Sequence, residues 1–235
     1  MIRYAKLSLP FNLRAIKNEL ELVKHEWQAH FNTFYYEGSW TALALRSPGG
    51  SDDRIIPDLI GDEIYADTVW MQHFPSVKEL ISRLSCSIMS VRFLNLEAGS
   101  EIKQHKDPDL SFEHGEARLH FPIITNPGVS FYIEDHVLPL HEGECWYVNA
   151  NLPHRVLNQG TADRVHLVID CKVNNWLSDL MKQPLQISYK KEGVNNDQLK
   201  IIAELRLQNT PVSNQLAEEM ETQLRTTTPN SDRNS

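Results

Sequence analysis

The sequence predicts a mainly β fold with flanking helices, because helical periodicity lies near the two ends of the chain and short strands fill its middle. From position 88 to position 172, short apolar and alternating runs are separated by turns that contain a glycine, at Gly99, Gly128, Gly143 and Gly160. Helices followed by many short strands fit a double-stranded β-helix, the jelly-roll or cupin-like architecture, with helices packed on one sheet.

The first 84 positions predict two helices and two strands. Positions 7–10 read as an edge strand, and Asn12 can cap a helix over 13–31, in which apolar residues recur every three or four positions. Positions 39–46 are apolar enough for a buried strand, 51–62 are polar and proline-broken as in a loop, and 75–84 are again helical. We expect these helices to pack on the outside of the barrel.

The rest of the chain predicts strands and then helices. The strands are expected over 88–97, 117–125, 129–134, 137–140, 144–149, 154–158 and 164–172, and helices over 197–207 and 213–224, separated by Pro211. The predicted organisation is therefore a buttress over 1–84, a jelly-roll core that carries the chemistry over 85–176, a helical extension over 177–225 and a disordered tail over 226–235.

The composition of the 235-residue chain favours a small-molecule partner. Its net charge is −8 and its basic residues form no stripe, which argues against nucleic acid and an acidic membrane surface. Three widely spaced cysteines make a poor disulfide framework and favour a reducing, cytoplasmic location. No stretch approaches the roughly 18 apolar residues of a membrane span, and the start has too short an apolar run for a signal peptide. The sequence leaves the oligomeric state open.

Three residues form a candidate metal site. His105 and Asp107 are two positions apart, so on an extended segment both side chains leave the same face of the backbone. His154 follows the turn at Pro153 and opens another strand, where its side chain can point into the mouth of a barrel. Two imidazoles and one carboxylate form the facial triad that holds Fe(II) and leaves positions open for an oxidant and a co-substrate.

Arg164 is the candidate carboxylate-binding residue. It lies ten positions after His154 on the strand over 164–172. A guanidinium there can form a bidentate pair with a carboxylate that reaches in from the metal.

These motifs resemble the aspartyl/asparaginyl beta-hydroxylase family of iron(II)- and 2-oxoglutarate-dependent oxygenases, with the branch of bacterial proline hydroxylases nearest. The resemblance covers roughly positions 85–175. Its matching motifs are Gly99-Ser100, His105-Lys-Asp107, Arg118-Leu-His120-Phe-Pro122, Gly143-Glu-Cys-Trp-Tyr-Val-Asn149, Pro153-His154-Arg-Val-Leu-Asn158 and Arg164-Val-His-Leu.

The resemblance implies an Fe(II)- and 2-oxoglutarate-dependent dioxygenase that uses O2 to hydroxylate an unactivated C–H bond and releases succinate and CO2. It also implies that Arg118 and His120 help to bind the co-substrate or a substrate carboxylate. Free proline is the leading substrate, and an aspartyl or asparaginyl side chain in a peptide is the alternative. Arg92 is a further candidate for a substrate carboxylate, whereas His166 is better interpreted as a core histidine with satisfied hydrogen bonds.

Two functions from other classes stay open on sequence alone. A cupin-like isomerase or hydrolase could use the same barrel with zinc or manganese, although it would not need Arg164. A non-catalytic small-molecule sensor could also use a jelly roll, because a fold does not fix a function. Consumption of 2-oxoglutarate that requires both iron and O2 separates all three.

Overall fold

Fourteen strands are present in the part of the chain that the computed structural model describes, residues 1–23, 26–30, 32–54, 64–190 and 196–227. In chain order they are β1 (Ile2–Leu7), β2 (Gln28–Ala29), β3 (Tyr36–Glu37), β4 (Trp40–Pro48), β5 (Tyr65–Asp67), β6 (Ile88–Leu96), β7 (Glu101–His105), β8 (Glu116–Ile124), β9 (Val129–Ile133), β10 (His136–Leu138), β11 (Cys145–Val148), β12 (His154–Asn158), β13 (Arg164–Lys172) and β14 (Gln186–Tyr189).

The strands form two antiparallel sheets. The larger sheet has the order β14-β1-β11-β8-β13-β6-β4-β2, with β5 paired to β4, and the smaller sheet has the order β10-β9-β12-β7-β3. The helices are α1 (Leu13–Glu21), α2 (Pro75–Ser82), α3 (Asn175–Lys182), α4 (Asn196–Gln208) and α5 (Pro211–Thr227). Short 3-10 helices occupy Thr33–Tyr35, Val69–His73 and Phe112–His114. None of the helices in the described ranges is both long enough and apolar enough to cross a membrane.

Two apolar cores lie on opposite faces of the larger sheet. On the outer face, α1, α2 and α3 contribute Ile16, Leu80 and Leu177 to a core that also contains Phe93 and Phe121. The inner face and the smaller sheet share a second core, which includes Trp40, Leu94, Phe131, Val148 and Val156. Strand alternation therefore sends one set of side chains toward the helices and the other into the space between the sheets.

The predicted fold class is confirmed. The core is a double-stranded β-helix, and all seven strands predicted between positions 88 and 172 are present within one or two residues of their expected ends. Asn12 caps α1 as predicted, since its side chain accepts a hydrogen bond from the Ala15 N–H.

Two predictions in the first third of the chain are wrong. The helix expected over 13–31 ends at Glu21, because Gln28 and Ala29 leave it to pair with β4. Val23 is still buried and Trp27 still packs against the helix-side core, but both lie outside a helix. The early strand lies at Ile2–Leu7 rather than at 7–10, where it pairs with β11 and β14.

The chain divides into two compact units, one formed by Ile2–Tyr189 and one by Met1 with Lys190–Ser235. The boundary predicted at 84/85 falls inside the first unit, between α2 and β6. Positions 55–62 of the predicted loop and 228–235 of the predicted tail lie outside the described residues. The first two positions of that tail belong to α5, which ends at Thr227.

Candidate metal centre and carboxylate site

Polar side chains line the inner face of the larger sheet. On β8, Leu119 and Phe121 belong to the helix-side core, whereas His120 packs edge-on against Phe131 of the smaller sheet. The same alternation on β6, β8 and β13 brings further buried polar residues to this inner face, namely Ser90, Arg92, Arg118, Arg164, His166 and Asp170.

The three predicted metal ligands come together at the ends of two neighbouring strands. His105 is the last residue of β7, Asp107 follows it, and His154 opens β12 directly opposite His105. The two imidazole centroids are 4.2 Å apart. One potential ligand atom from each of the three residues lies within 4.8 Å of the other two.

Backbone carbonyls orient both imidazoles. The Nδ1 atom of His105 lies 2.8 Å from the carbonyl oxygen of Lys103, and Nδ1 of His154 lies 2.9 Å from that of Leu152. A carbonyl oxygen only accepts hydrogen bonds, so Nδ1 is the donor in each pair and Nε2 is the ring nitrogen left for a metal. Burial, reinforced by the neighbouring His105, lowers the pKa of His154 to about 4, which keeps its ring neutral near pH 7.

Asp107 supplies a carboxylate that a guanidinium holds in place. Nη1 of Arg118 donates to Oδ2 of Asp107, while Oδ1 lies 3.9 Å from Nε2 of His105. Burial alone would raise the pKa of Asp107, but the charge of Arg118 and the two imidazoles outweigh it and bring the pKa below its ordinary value. Asp107 is therefore ionised at neutral pH, with one oxygen toward the histidines.

Asp170 anchors Arg118 from the opposite side. Nε and Nη2 of Arg118 donate to the two oxygens of Asp170 over 2.7 and 3.0 Å, the fork geometry of a strong ion pair. The Ser90 hydroxyl and Nη1 of Arg92 also donate to Oδ2 of Asp170, over 2.9 and 3.0 Å. Burial would raise the pKa of Asp170, yet Arg118 and Arg92 hold it far below its ordinary value. Arg118, predicted to help to bind the co-substrate or a substrate carboxylate, thus already contacts two carboxylates of the chain.

Arg164 is buried without a carboxylate partner in the described part of the chain. Its Nη2 lies 2.8 Å from Nδ1 of His166, and its Nε has no hydrogen-bond partner among the described residues. Burial alone lowers the pKa of Arg164 to about 9, so the side chain is still cationic at pH 7. A buried guanidinium is costly to maintain unless an anion reaches it.

Phe131 connects Arg164 with the predicted metal ligands. Its ring lies 5.8 Å from the Arg164 guanidinium and stacks on the His154 ring at a centroid distance of 6.2 Å. Arg164 and the His-Asp-His cluster therefore line the same space between the sheets.

His120 lies beside the pair formed by Arg164 and His166. The Nδ1 atoms of His120 and His166 are 3.4 Å apart, and their ring planes are nearly perpendicular. Burial, followed by the charge of Arg164, lowers the pKa of both histidines well below 6.5. Both rings are therefore neutral at physiological pH.

Aromatic side chains border the cluster on one side. Tyr35 stacks on the His105 ring at a centroid distance of 5.3 Å, and Trp40 lies 6.4 Å from the same ring. His30 stacks on Trp40 at 3.5 Å, and burial followed by the charge of Arg92 lowers the pKa of His30 to about 4. Tyr35 is 43% exposed, so this border reaches the surface.

Sequence reasoning did not predict roles for Asp170 or Tyr35. A signal for Asp170 exists, because it is the only acidic residue of β13 and lies in phase with Arg164, six positions earlier. No pattern in the sequence marks Tyr35, whose contact depends on how the segment before β3 crosses the end of β7.

The three clustered residues fit a ferrous ion. Two imidazoles and one ionised carboxylate are the donor set of facial-triad iron sites. Their spacing is close to what an ion with bonds of about 2.1 Å can bridge. The backbone acceptors at both Nδ1 atoms supply the supporting hydrogen bonds that such histidine ligands need.

Two curated relatives are bacterial proline hydroxylases. The chain is 29% identical over 147 residues to L-proline cis-4-hydroxylase of Rhizobium meliloti (strain 1021), a match that covers 60% of this chain and 52% of the relative. It is 25% identical over 140 residues to L-proline cis-3-hydroxylase 2 of a Streptomyces species, covering 58% and 48%. The chain thus spans about half the length of these relatives.

Among solved structures, a prolyl-4-hydroxylase of Pseudomonas putida superposes with a TM-score of 0.46 and 10% identity, over 74% of this chain and 95% of that chain. The family model described as aspartyl/asparaginyl beta-hydroxylase matches residues 11–173, which is more than half of the sequence and includes every polar residue of the site described above. The chain therefore belongs to the aspartyl/asparaginyl beta-hydroxylase family.

Proposed function

We propose that the protein is an Fe(II)- and 2-oxoglutarate-dependent dioxygenase that hydroxylates an unactivated C–H bond of a small amino acid. One observation carries the proposal: a buried, uncompensated guanidinium shares the inter-sheet space with a His-Asp-His cluster. The cluster suits iron, and the guanidinium suits the far carboxylate of a keto acid that chelates the iron. A zinc or manganese isomerase would not need that guanidinium.

In this proposal His105, Asp107 and His154 hold the iron and Arg164 holds the distal carboxylate of 2-oxoglutarate. Arg118 fixes the orientation of Asp107, and Asp170 fixes that of Arg118. When bound, iron and 2-oxoglutarate supply the oxidation, in which O2 converts the keto acid to succinate and CO2 and transfers one oxygen atom to the substrate. The chain supplies placement and exclusion of water. All six residues lie within 85–176, which we propose as the catalytic core.

The charges of the site support a substrate that carries a carboxylate. The site contains three buried guanidiniums, of Arg92, Arg118 and Arg164, and two carboxylates, of Asp107 and Asp170, which pair with Arg92 and Arg118 only. Ferrous iron would add two positive charges and 2-oxoglutarate two negative charges, which leaves one positive charge for a substrate carboxylate to balance.

Arg92 is the guanidinium that we assign to the substrate carboxylate. Its hydrogen bonds to Asp170 and Ser90 use Nη1 alone. Its cross-strand neighbour Ala44, and Ala42 two positions earlier, are small residues of the core between the sheets. Free proline is the leading candidate because the two curated relatives compared above are proline hydroxylases. A cytoplasmic location is proposed from the three free cysteines.

Succinate formation tests the proposal. The iron-loaded protein is incubated with 2-oxoglutarate and O2 together with each free amino acid, or with short peptides that contain Asp or Asn. We expect a free amino acid, proline first, to raise succinate formation above the uncoupled background, and Arg164→Lys to raise the KM for 2-oxoglutarate because lysine cannot form the bidentate pair. Hydroxylation of peptides alone would make the chain a peptide hydroxylase. No consumption of 2-oxoglutarate would refute the proposal.

A further inference from the structure

The contact between Arg164 and His166 defines the protonation state of the histidine. Guanidinium nitrogens only donate hydrogen bonds, so Nδ1 of His166 accepts from Nη2 of Arg164, 2.8 Å away. Because the ring is neutral, its single proton must reside on Nε2. Nε2 has no hydrogen-bond partner among the described residues, so nothing on that side of the ring selects this tautomer. The hydrogen bond from Arg164 to Nδ1 selects the tautomer with its proton on Nε2.

The partner of Arg164 is unusual for this site because it is uncharged. Arg118 and Arg92 both donate to the Asp170 carboxylate, which compensates their charges. An imidazole that accepts through Nδ1 fixes the direction of a guanidinium but brings no negative charge. Arg164 is therefore oriented while its full charge remains available to a ligand.

The imidazole is itself held firmly. His166 is completely buried and lies on β13, which pairs with β6 on one side and β8 on the other. His120 packs against its ring with nearly perpendicular planes. Since Arg164 and His166 are two positions apart on the same strand, their side chains leave the same face and the acceptor stands beside the guanidinium.

We propose that His166 is a positioning residue, whose neutral imidazole aims Arg164 at the distal carboxylate of 2-oxoglutarate without compensating the charge that binds it. This role rests on the proposed function. It replaces the expectation that His166 is a core histidine with satisfied hydrogen bonds, because its Nε2 has no partner in the described ranges.

Two substitutions separate orientation from packing. In His166→Asn, the side-chain oxygen can take the place of Nδ1 and accept from Arg164, whereas His166→Leu fills similar space and accepts nothing. Calorimetry under argon on the Mn(II)-loaded protein measures the Kd for 2-oxoglutarate and for 2-oxobutyrate, a keto acid without the distal carboxylate. The absence of O2 prevents turnover, so the readout is binding alone.

We expect His166→Leu to raise the Kd for 2-oxoglutarate about 10- to 100-fold, the range typical of residues that orient a binding group. His166→Asn should restore most of the affinity, and neither change should weaken 2-oxobutyrate. The role is overturned if both variants match the wild type, or if both weaken the two keto acids equally. If the wild type binds 2-oxobutyrate as tightly as 2-oxoglutarate, Arg164 does not bind the distal carboxylate. The proposed function then loses the observation at Arg164 that supports it.

A second readout decides the role of His166 without any keto acid. Nitrogen-15 NMR of the metal-free protein distinguishes the two neutral tautomers of a histidine. A proton on Nε2 and a bare Nδ1 are expected in the wild type. A proton on Nδ1 would show that the ring does not accept from Arg164, and the inference would be wrong even if 2-oxoglutarate binds.

Discussion

Asp170 is the residue on which most of the buried charge depends. It accepts from Arg118, Arg92 and Ser90 within the inner face of the larger sheet. Through Arg118 it also determines where the carboxylate of Asp107 lies. A side chain that contacts none of the three predicted metal ligands directly thus orients the carboxylate of the proposed metal centre.

Replacing Asp170 by asparagine should destabilise the protein by about 3–5 kcal/mol, because two buried guanidiniums lose their shared counter-charge. Urea unfolding of the metal-free protein measures the loss. Asp179→Asn is the matched control, since Asp179 pairs with Lys182 on the surface of α3 and should change stability by no more than about 0.5 kcal/mol. Equal effects of the two changes would contradict the anchoring role.

The buried histidines should make stability fall as the pH is lowered. Burial, with the charge of Arg164, depresses the pKa of folded His166 well below 6.5, the approximate value in an unfolded chain. Above about pH 6.5 both states are neutral, whereas below it the unfolded state gains a proton that the folded state excludes. Each such histidine therefore lowers the free energy of unfolding by up to about 1.4 kcal/mol per pH unit.

His166→Asn removes one of these groups and provides the test. Between about pH 7.5 and about pH 5.5 the metal-free variant should lose roughly 1 kcal/mol less stability than the wild type. Urea unfolding at several pH values gives both curves. Parallel curves would mean that folded His166 titrates normally.

At the scale of elements, the sequence predicts strands better than helix ends. Strands such as β8 and β13 are specified locally, by alternation between the helix-side core and the polar inner face. The end of α1 is not specified by the local sequence. The apolar pattern continues to Trp27, but pairing with β4 removes Gln28 and Ala29 from the helix. Edge strand β14 was missed for the same reason, as its place depends on its partner β1.

In the site, too, features set by local sequence could be predicted and features set by strand pairing could not. His105, Asp107 and His154 could be predicted from residue type and spacing, since strand geometry brings them to one place. The chain of hydrogen bonds from Asp170 through Arg118 to Asp107 could not be predicted. It depends on the pairing register of β13 and β8, which places Asp170 opposite Arg118.

A close contact next to β4 makes Gly38 sensitive to substitution. Gly38 has a φ of 81°, and a Cβ there would approach Ser100, whose Cα would lie 3.0 Å away. The Ser100 hydroxyl accepts a hydrogen bond from the Ser39 N–H at the start of this region. Gly99 has a similar φ of 78°, but a methyl group added there would meet no other atom of the described chain within 4 Å.

Gly38→Ala should therefore cost more than Gly99→Ala. Backbone strain alone predicts about 1–2 kcal/mol for each change, and the clash with Ser100 adds to the Gly38 value. Thermal unfolding of the two variants measures the difference. Equal shifts in Tm would show that the approach to Ser100 is not as tight as described.

At the scale of the whole molecule, the unit formed by Ile2–Tyr189 should fold without the segment that follows it. A chain ending at Tyr189 keeps β14, which pairs with β1, and should unfold in one cooperative transition. A chain ending at Trp176 loses Leu177 and Met181, which α3 buries in the helix-side core. That loss should cost at least about 4 kcal/mol and promote aggregation.

Circular dichroism and light scattering of the two shortened chains make the comparison. A chain ending at Trp176 that stays monodisperse and as stable as the chain ending at Tyr189 would contradict the role given to α3 and β14.

The most direct test of the proposed metal centre measures iron content and turnover in one variant, His154→Ala. His136→Ala, which changes an exposed histidine on β10, is the control. The wild type and the control should bind one iron per chain and form succinate and hydroxylated amino acid in equal amounts. His154→Ala should lose both iron and turnover, because two ligands remain where three are needed. Full iron occupancy with normal turnover in His154→Ala would contradict the assignment of His105, Asp107 and His154 as the metal centre.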